Sequence, residues 1–166
     1  MPRPNRCWEK MPKPKLLLAA CCGPCATVAV ERLSVDYDVT CLFWGNNLDS
    51  QEEFDRRLEG LYKLTDKVIV HPYEHTDWQN QNCARCFTLR LQNAFEYLQK
   101  LGFDYFATSL TTSPHKDAAL INQIGLSISD RYVPSDFKKR DGFKRSVELS
   151  KQLKMYRQNY CGCVKP

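Results

Sequence analysis

The sequence has no apolar run near the roughly 20 residues that a membrane-spanning helix needs. Its opening stretch, MPRPNRCWEKMPKPK, carries positive charge with no apolar segment of a secretory signal behind it. A cytoplasmic, reducing setting is therefore expected. There is no internal repeat and no low-complexity segment. Both glycine-rich phosphate loops are missing, GxGxxG as well as GxxxxGK followed by Ser or Thr. Only Gly23 follows the first apolar run, so the sequence argues against an ATP- or NAD-using enzyme.

What is present is cysteine. The 166 residues suit one domain with a single core, and 43% hydrophobic with 26% charged residues is ordinary for a globular chain. Nine cysteines are not ordinary under reducing conditions. Seven of the nine fall into tight groups: CCxxC at Cys21, Cys22 and Cys25, CxxC at Cys83 and Cys86, and CxC at Cys161 and Cys163. Under the expected reducing conditions such spacing points to metal or redox chemistry. Cys41, inside YDVTCLFW, reads as a small core residue, and Cys7 is assigned no role.

The pattern along the chain alternates. Residues 1–14 read as a flexible lead-in, and 15–166 as one domain. KLLLAA is a continuous apolar run of strand length. PCATVAVERLS has helix character, with Pro24 suited to a first turn. YDVTCLFW predicts a second strand. Asp49 or Ser50 is placed to cap a helix in which Phe54, Leu58 and Leu61 share a face. KVIVHPY predicts a third strand. Phe87, Leu91, Phe95 and Leu98 mark a long helix from Cys83, closed by Gly102. DYFATSL predicts a fourth strand, DAALINQIGLSISDR a helix, YVPSDF a short fifth strand and GFKRSVELSKQLK a last helix before the tail MYRQNYCGC.

This alternation predicts an α/β fold: a Rossmann-like parallel sheet of about five strands, helices on both faces, and a C-terminal helical and tail segment carrying CxC. In such sheets ligands bind outside the carboxyl ends of the strands, where the cysteine groups fall. A thioredoxin-type pair needs two thiols and a structural zinc needs four. A 4Fe–4S cluster takes four and leaves three, enough for a second metal with an open position. Two other readings stay open: a zinc-stabilised tRNA-binding module and a thiol–disulfide oxidoreductase. Charge is uneven. Residues 131–166 carry ten Lys/Arg against three Asp/Glu, whereas residues 16–130 carry nine against fifteen. A basic C-terminal segment is either a polyanion footprint or solvated helix surface.

Five stretches in order, CCGPC, GNNLDSQEEFDRRL, CARCFTLRL, FATSLTTSPHKD and YRQNYCGC, together resemble the QueH family of epoxyqueuosine reductases. The resemblance runs from Lys15 to Cys163. It implies a HUP-like fold and the last step of queuosine synthesis: reductive removal of the epoxide oxygen of epoxyqueuosine at the tRNA wobble position. The implied partners are a tRNA with a GUN anticodon and an unidentified electron donor. No membrane is expected, from the short apolar runs, and a monomer is expected, since no strongly apolar surface helix stands out. The implied cofactors are a 4Fe–4S cluster and a nearby mononuclear iron. Some members carry an aspartate where Cys25 stands, so a thiolate here makes a softer site.

A first division assigns Cys21, Cys22, Cys83 and Cys86 to the cluster, and Cys25, Cys161 and Cys163 to the second iron. A rival assignment makes Cys161 and Cys163 a redox-active disulfide, whose small ring would be strained. A general acid must protonate the departing oxygen. Asp117 is the first candidate, next to His115 and Lys116, and a helix cap is the alternative role for it. Asn46 and Asn47 are candidates for the cyclopentane hydroxyls, with turn formation as the alternative. Lys116, Lys144, Arg145, Tyr156 and Arg157 are candidate tRNA contacts, with Phe137, Phe143 and Tyr160 as further aromatics among the basic residues.

Overall fold

The computed structural model describes residues 12–76 and 82–161. Cys7, Cys163 and nearly all of the expected lead-in lie outside the described residues. Strand β1 (Lys15–Ala20) leads into helix α1 (Gly23–Leu33), followed by β2 (Asp38–Phe43), α2 (Gln51–Leu64) and β3 (Val68–Val70). Then come α3 (Cys83–Leu101), β4 (Tyr105–Thr108), a 3-10 turn at Leu110–Thr112, α4 (Ala118–Ile128) and α5 (Gly142–Gln152). The four strands are parallel, in the order β3-β2-β1-β4. Among the described residues no helix is long and apolar enough to cross a membrane.

β1 is continuous apolar sequence because it lies in the interior of the sheet and is covered on both faces. Leu16, Leu18 and Ala20 join one core with α1, α2 and Phe137. Leu17 and Ala19 join the other with α3 and α4, through Leu91, Leu98 and Ile121. Helices thus cover both faces, as expected. Ser50 caps α2, its hydroxyl accepting from the Glu53 N–H at 3.2 Å. Gly102 ends α3 in the left-handed region, at φ 73°.

The expected fifth strand is a correction. YVPSDF makes only an isolated parallel bridge, Tyr132 to Phe106. Val133 donates to the Phe106 carbonyl at 2.8 Å. Pro134 then has no N–H to continue the ladder. The segment turns instead to Thr111 and Asn122, which bind Ser135 at 2.8 and 3.2 Å.

This strand order positions the site. The chain steps from β1 outward to β2 and β3, then crosses back through α3 to lay β4 on the other side of β1. The turns after β1 and β4 therefore diverge and leave a crevice, the switch point at which open parallel sheets bind ligands.

Candidate metal centre

The turn after β1 is CCGPC. Cys22 is the extended N-cap residue of α1, and Cys25 lies in its first turn. The Sγ atoms of Cys21, Cys22 and Cys25 all lie within 4.8 Å of one another, with Cys21 and Cys22 at 3.8 Å. The extended backbone at Cys22 bends into a helix, so neighbouring thiols that would diverge along a strand converge here. Gly23 has a packing role. A Cβ there would stand 2.8 Å from the Gly60 carbonyl carbon, because α1 begins against the backbone of α2.

The turn after β4 braces the thiols. The Ser109 hydroxyl accepts from the Cys21 N–H at 3.4 Å, and the Thr112 hydroxyl donates to the Cys25 carbonyl at 2.9 Å. Across the crevice, Cys83 and Cys86 open α3, whose N-cap Asn82 accepts from the Arg85 N–H at 3.0 Å. Both thiol groups sit at helix N-termini, where free backbone N–H groups face any bound anionic group.

A cavity of about 650 Å³ joins these elements. Cys21, Cys25, Cys83, Cys86 and Cys161 all line it. Cys22 is fully buried behind it. Phe87, Leu110 and Pro114 supply apolar wall, and Arg57, Arg90, Lys116 and Arg157 supply positive charge. Hydrogen bonding with the Cys22 and Cys25 thiols outweighs the cost of burial, and Lys116 and Arg90 add their charge, so the Cys21 thiol is held well below its ordinary value. The same sharing with Cys21 pushes Cys22 up to about 11 and Cys25 well upward. The three thiols therefore titrate as a set.

The other predicted residues are distributed unequally. His115, Lys116 and Arg157 line the cavity. Asp117 is exposed and caps α4, its carboxylate accepting from the Leu120 N–H at 3.2 Å. Asn46 is buried and accepts from the Glu74 N–H at 2.9 Å, a loop-fixing role. Asn47 lines the cavity and accepts from Arg90 at 2.7 Å. Tyr156 donates to Glu53 at 2.9 Å. Lys144 and Arg145 line a separate charged hollow with Arg32 and Arg140, and Arg145 is paired with Glu31 at 2.8 Å.

Two buried arginines escaped the sequence reading. Arg90, 5% exposed, donates to the Trp44 carbonyl at 3.0 Å and to Cys86 Sγ at 3.4 Å, and its guanidinium lies 5.1 Å from the Trp44 ring. Arg57 pairs with Glu53 at 2.7 Å, both buried. The signal was available. Glu53, Arg57 and Leu61 recur at four-residue spacing, which puts two opposite charges on an apolar helix face.

A parallel sheet whose switch point holds thiols instead of a phosphate loop defines a thiol-centred Rossmann-like protein, of the kind that holds soft metals or redox groups. Comparison with known proteins narrows the class. The family model described as epoxyqueuosine reductase QueH matches residues 16–165. Epoxyqueuosine reductase QueH of Streptococcus pyogenes serotype M1 is 36% identical over 184 residues, covering 95% of this chain and 72% of that protein. The Dehalococcoides mccartyi protein of the same description is 32% identical over 91% of each chain. That of Thermotoga maritima is 27% identical over 90% of this chain and 88% of its own. The chain belongs to the QueH family of epoxyqueuosine reductases.

Proposed function

We propose that this chain is an iron–sulfur epoxyqueuosine reductase acting on tRNA in the final step of queuosine synthesis. The observation that carries the reading is the convergence of five cysteines on one cavity at the switch point, in a chain of this family. Removing an epoxide oxygen to leave an alkene takes two electrons and two protons and releases water. The donor set fits a thiolate-held group: soft sulfur ligands, helix N-termini, and buried Arg90 to offset anionic charge. Such a group would supply single electrons and an electrophilic metal for the epoxide oxygen.

The first ligand division puts Cys21, Cys22, Cys83 and Cys86 on the cluster and Cys25, Cys161 and Cys163 on the second iron. The compactness of the triad favours a second division. Metal–sulfur bonds of about 2.3 Å in a tetrahedron place sulfurs about 3.8 Å apart, the spacing of Cys21 and Cys22. Cys21, Cys22 and Cys25 would then hold one metal, and the remaining groups the other. Cys25→Ser separates the two. If Cys25 holds the second iron alone of the triad, one iron is lost and all sulfide stays. If the triad acts as one set, the spectrum of the metal bound by Cys21 and Cys22 changes as well.

The chain's own residues do the rest. Lys116 and His115 line the cavity and are the candidates for delivering a proton to the departing oxygen. Asn47 holds Arg90, which fixes Cys86. Phe143, 41% exposed at the cavity lining, offers a face for an unstacked base. Arg157 and Lys144 offer charge for backbone phosphates.

Iron and sulfide analysis on anaerobically isolated protein tests the reading. The expected result is a brown protein with about four to five iron and about four sulfide per chain. Zinc without sulfide would overturn it in favour of a zinc-stabilised tRNA-binding module. Full activity in metal-free protein would overturn it in favour of a thiol–disulfide oxidoreductase. The reaction itself is read as loss of one oxygen from the mass of the modified base.

A further inference from the structure

We propose that Glu53 and Arg57 of α2 form a latch that sets the C-terminal tail on the cavity, making Arg57 the positioning residue for Cys161. The inference rests on the reading of Cys161 as a site thiol. Arg57 uses its whole fork. Nε donates to Glu53 at 2.7 Å, and the two terminal nitrogens donate to the carbonyls of Tyr160 and Cys161, each at 3.0 Å. Two successive carbonyls held by one rigid plane fix the direction of the peptide between them as well as its position. That fixes the base from which the Cys161 side chain projects.

The tail answers with its own contacts. The Tyr160 ring lies 5.4 Å from the Arg57 guanidinium, and its hydroxyl donates to Asp49 at 2.8 Å, just before the α2 cap. The Tyr156 hydroxyl donates to both Glu53 oxygens, at 2.9 and 3.2 Å. Glu53 therefore links the start of the tail to the residue that holds its end. The same helix meets the thiol turn at its far side, where Gly60 packs on Gly23. α2 thus gauges the distance between the CCGPC thiols and Cys161.

A buried ion pair is a poor device for stability alone, since desolvation offsets most of its attraction. At this place an apolar pair would fill the same space and leave two tail carbonyls unbound. The pair instead serves geometry, and the sequence carries it inside GNNLDSQEEFDRRL, a stretch with no cysteine in it.

The test uses the full chain, anaerobically purified, as Arg57→Lys, Arg57→Met and Glu53→Gln, with Lys67→Ala as a surface ion-pair control. Native-state trypsin cleavage after Arg157 reads how often the tail lifts. Cleavage there is expected to rise roughly tenfold in Arg57→Met and less in Arg57→Lys and Glu53→Gln. Turnover should fall in the same order, and Lys67→Ala should match wild type in both readouts. Wild-type cleavage and turnover in Arg57→Met would overturn the latch, as would an equal rise in cleavage at every site. Should Arg57→Met not fold, Arg57→Lys and Glu53→Gln decide by the same two readouts. Failure of the reductase reading would appear separately, as zinc without sulfide with the cleavage contrast intact.

Discussion

The side chains that matter most around the cavity are those whose alternatives are chemically poor. Arg90 could not be a lysine, because a point donor cannot reach a carbonyl, an amide oxygen and a thiol while lying on an indole face. Asp117 could be an asparagine, because asparagine caps helices about as well. That makes Asp117→Asn a clean test of proton donation. The variant should keep turnover within roughly twofold, while Lys116→Met should lose about a hundredfold or more, the usual worth of a general acid. The converse result in a single-turnover assay would return the role to Asp117. Cys41 gives a pH signature. Burial in β2 pushes its thiol up to about 12, from an ordinary value near 9. The neutral form is the one that folding favours, so the stability due to this group is intact below about pH 9 and falls as pH rises towards about 12, by at most ~1.4 kcal/mol per unit. Cys41→Ala should start less stable, yet its urea midpoint should drop less than that of wild type between about pH 8 and about pH 10. Cysteine spacing pointed to the thiols that line the cavity, Cys21, Cys25, Cys83, Cys86 and Cys161. It could not foresee that Cys25 would converge with Cys21 and Cys22, because convergence depends on the bend at Cys22. Nor could composition show which of many arginines would be buried.

Elements carried most of what was readable. β1 and α3 follow from their local patterns, a continuous apolar run and a four-residue apolar recurrence ending in glycine, and the observed ends agree with the expected ones. YVPSDF failed as a strand because its β-type residues could not outweigh a proline in mid-ladder. The sheet order was not readable locally, since β4 reaches β1 only through the crossover of α3. The contact of α1 with α2 gives this scale its prediction. A methyl at Gly23 would press on the Gly60 backbone at 2.8 Å, whereas one at Gly60 meets Gly23 Cα and N at an ordinary 3.8 and 4.0 Å. Gly23→Ala should therefore cost about 1–3 kcal/mol and lower the metal content, since the thiol turn must shift with α1. Gly60→Ala should be neutral or gain about 0.5–1 kcal/mol from helix propensity, with metal content unchanged. Equal effects of the two in urea unfolding and iron analysis would refute the close approach.

Across the whole molecule, charge and topology point the same way. The CCGPC turn lies at the carboxyl end of β1 inside the sheet, and the basic C-terminal segment returns against α1 as α5. Phe143 and Ser146 line the cavity, while Lys144 and Arg145 line the adjoining charged hollow. A polyanion seated with one base in the cavity would lay its backbone across this flank. Binding of an anticodon stem-loop should then weaken steeply with salt, and Lys144→Ala should reduce the log–log slope by about one. Arg145 requires a different argument. Its guanidinium is bonded to both oxygens of Glu31, at 2.8 and 3.2 Å, and stands 3.7 Å from Glu148, so carboxylates compete with any polyanion for its charge. Glu31→Gln should release that charge, so the variant should bind the stem-loop more tightly at low salt and show a steeper slope than wild type. A slope unchanged by both substitutions in a fluorescence-anisotropy titration would move the RNA path off α5. Changes confined to Lys144→Ala would mean that the Glu31–Arg145 pair stays closed in the complex.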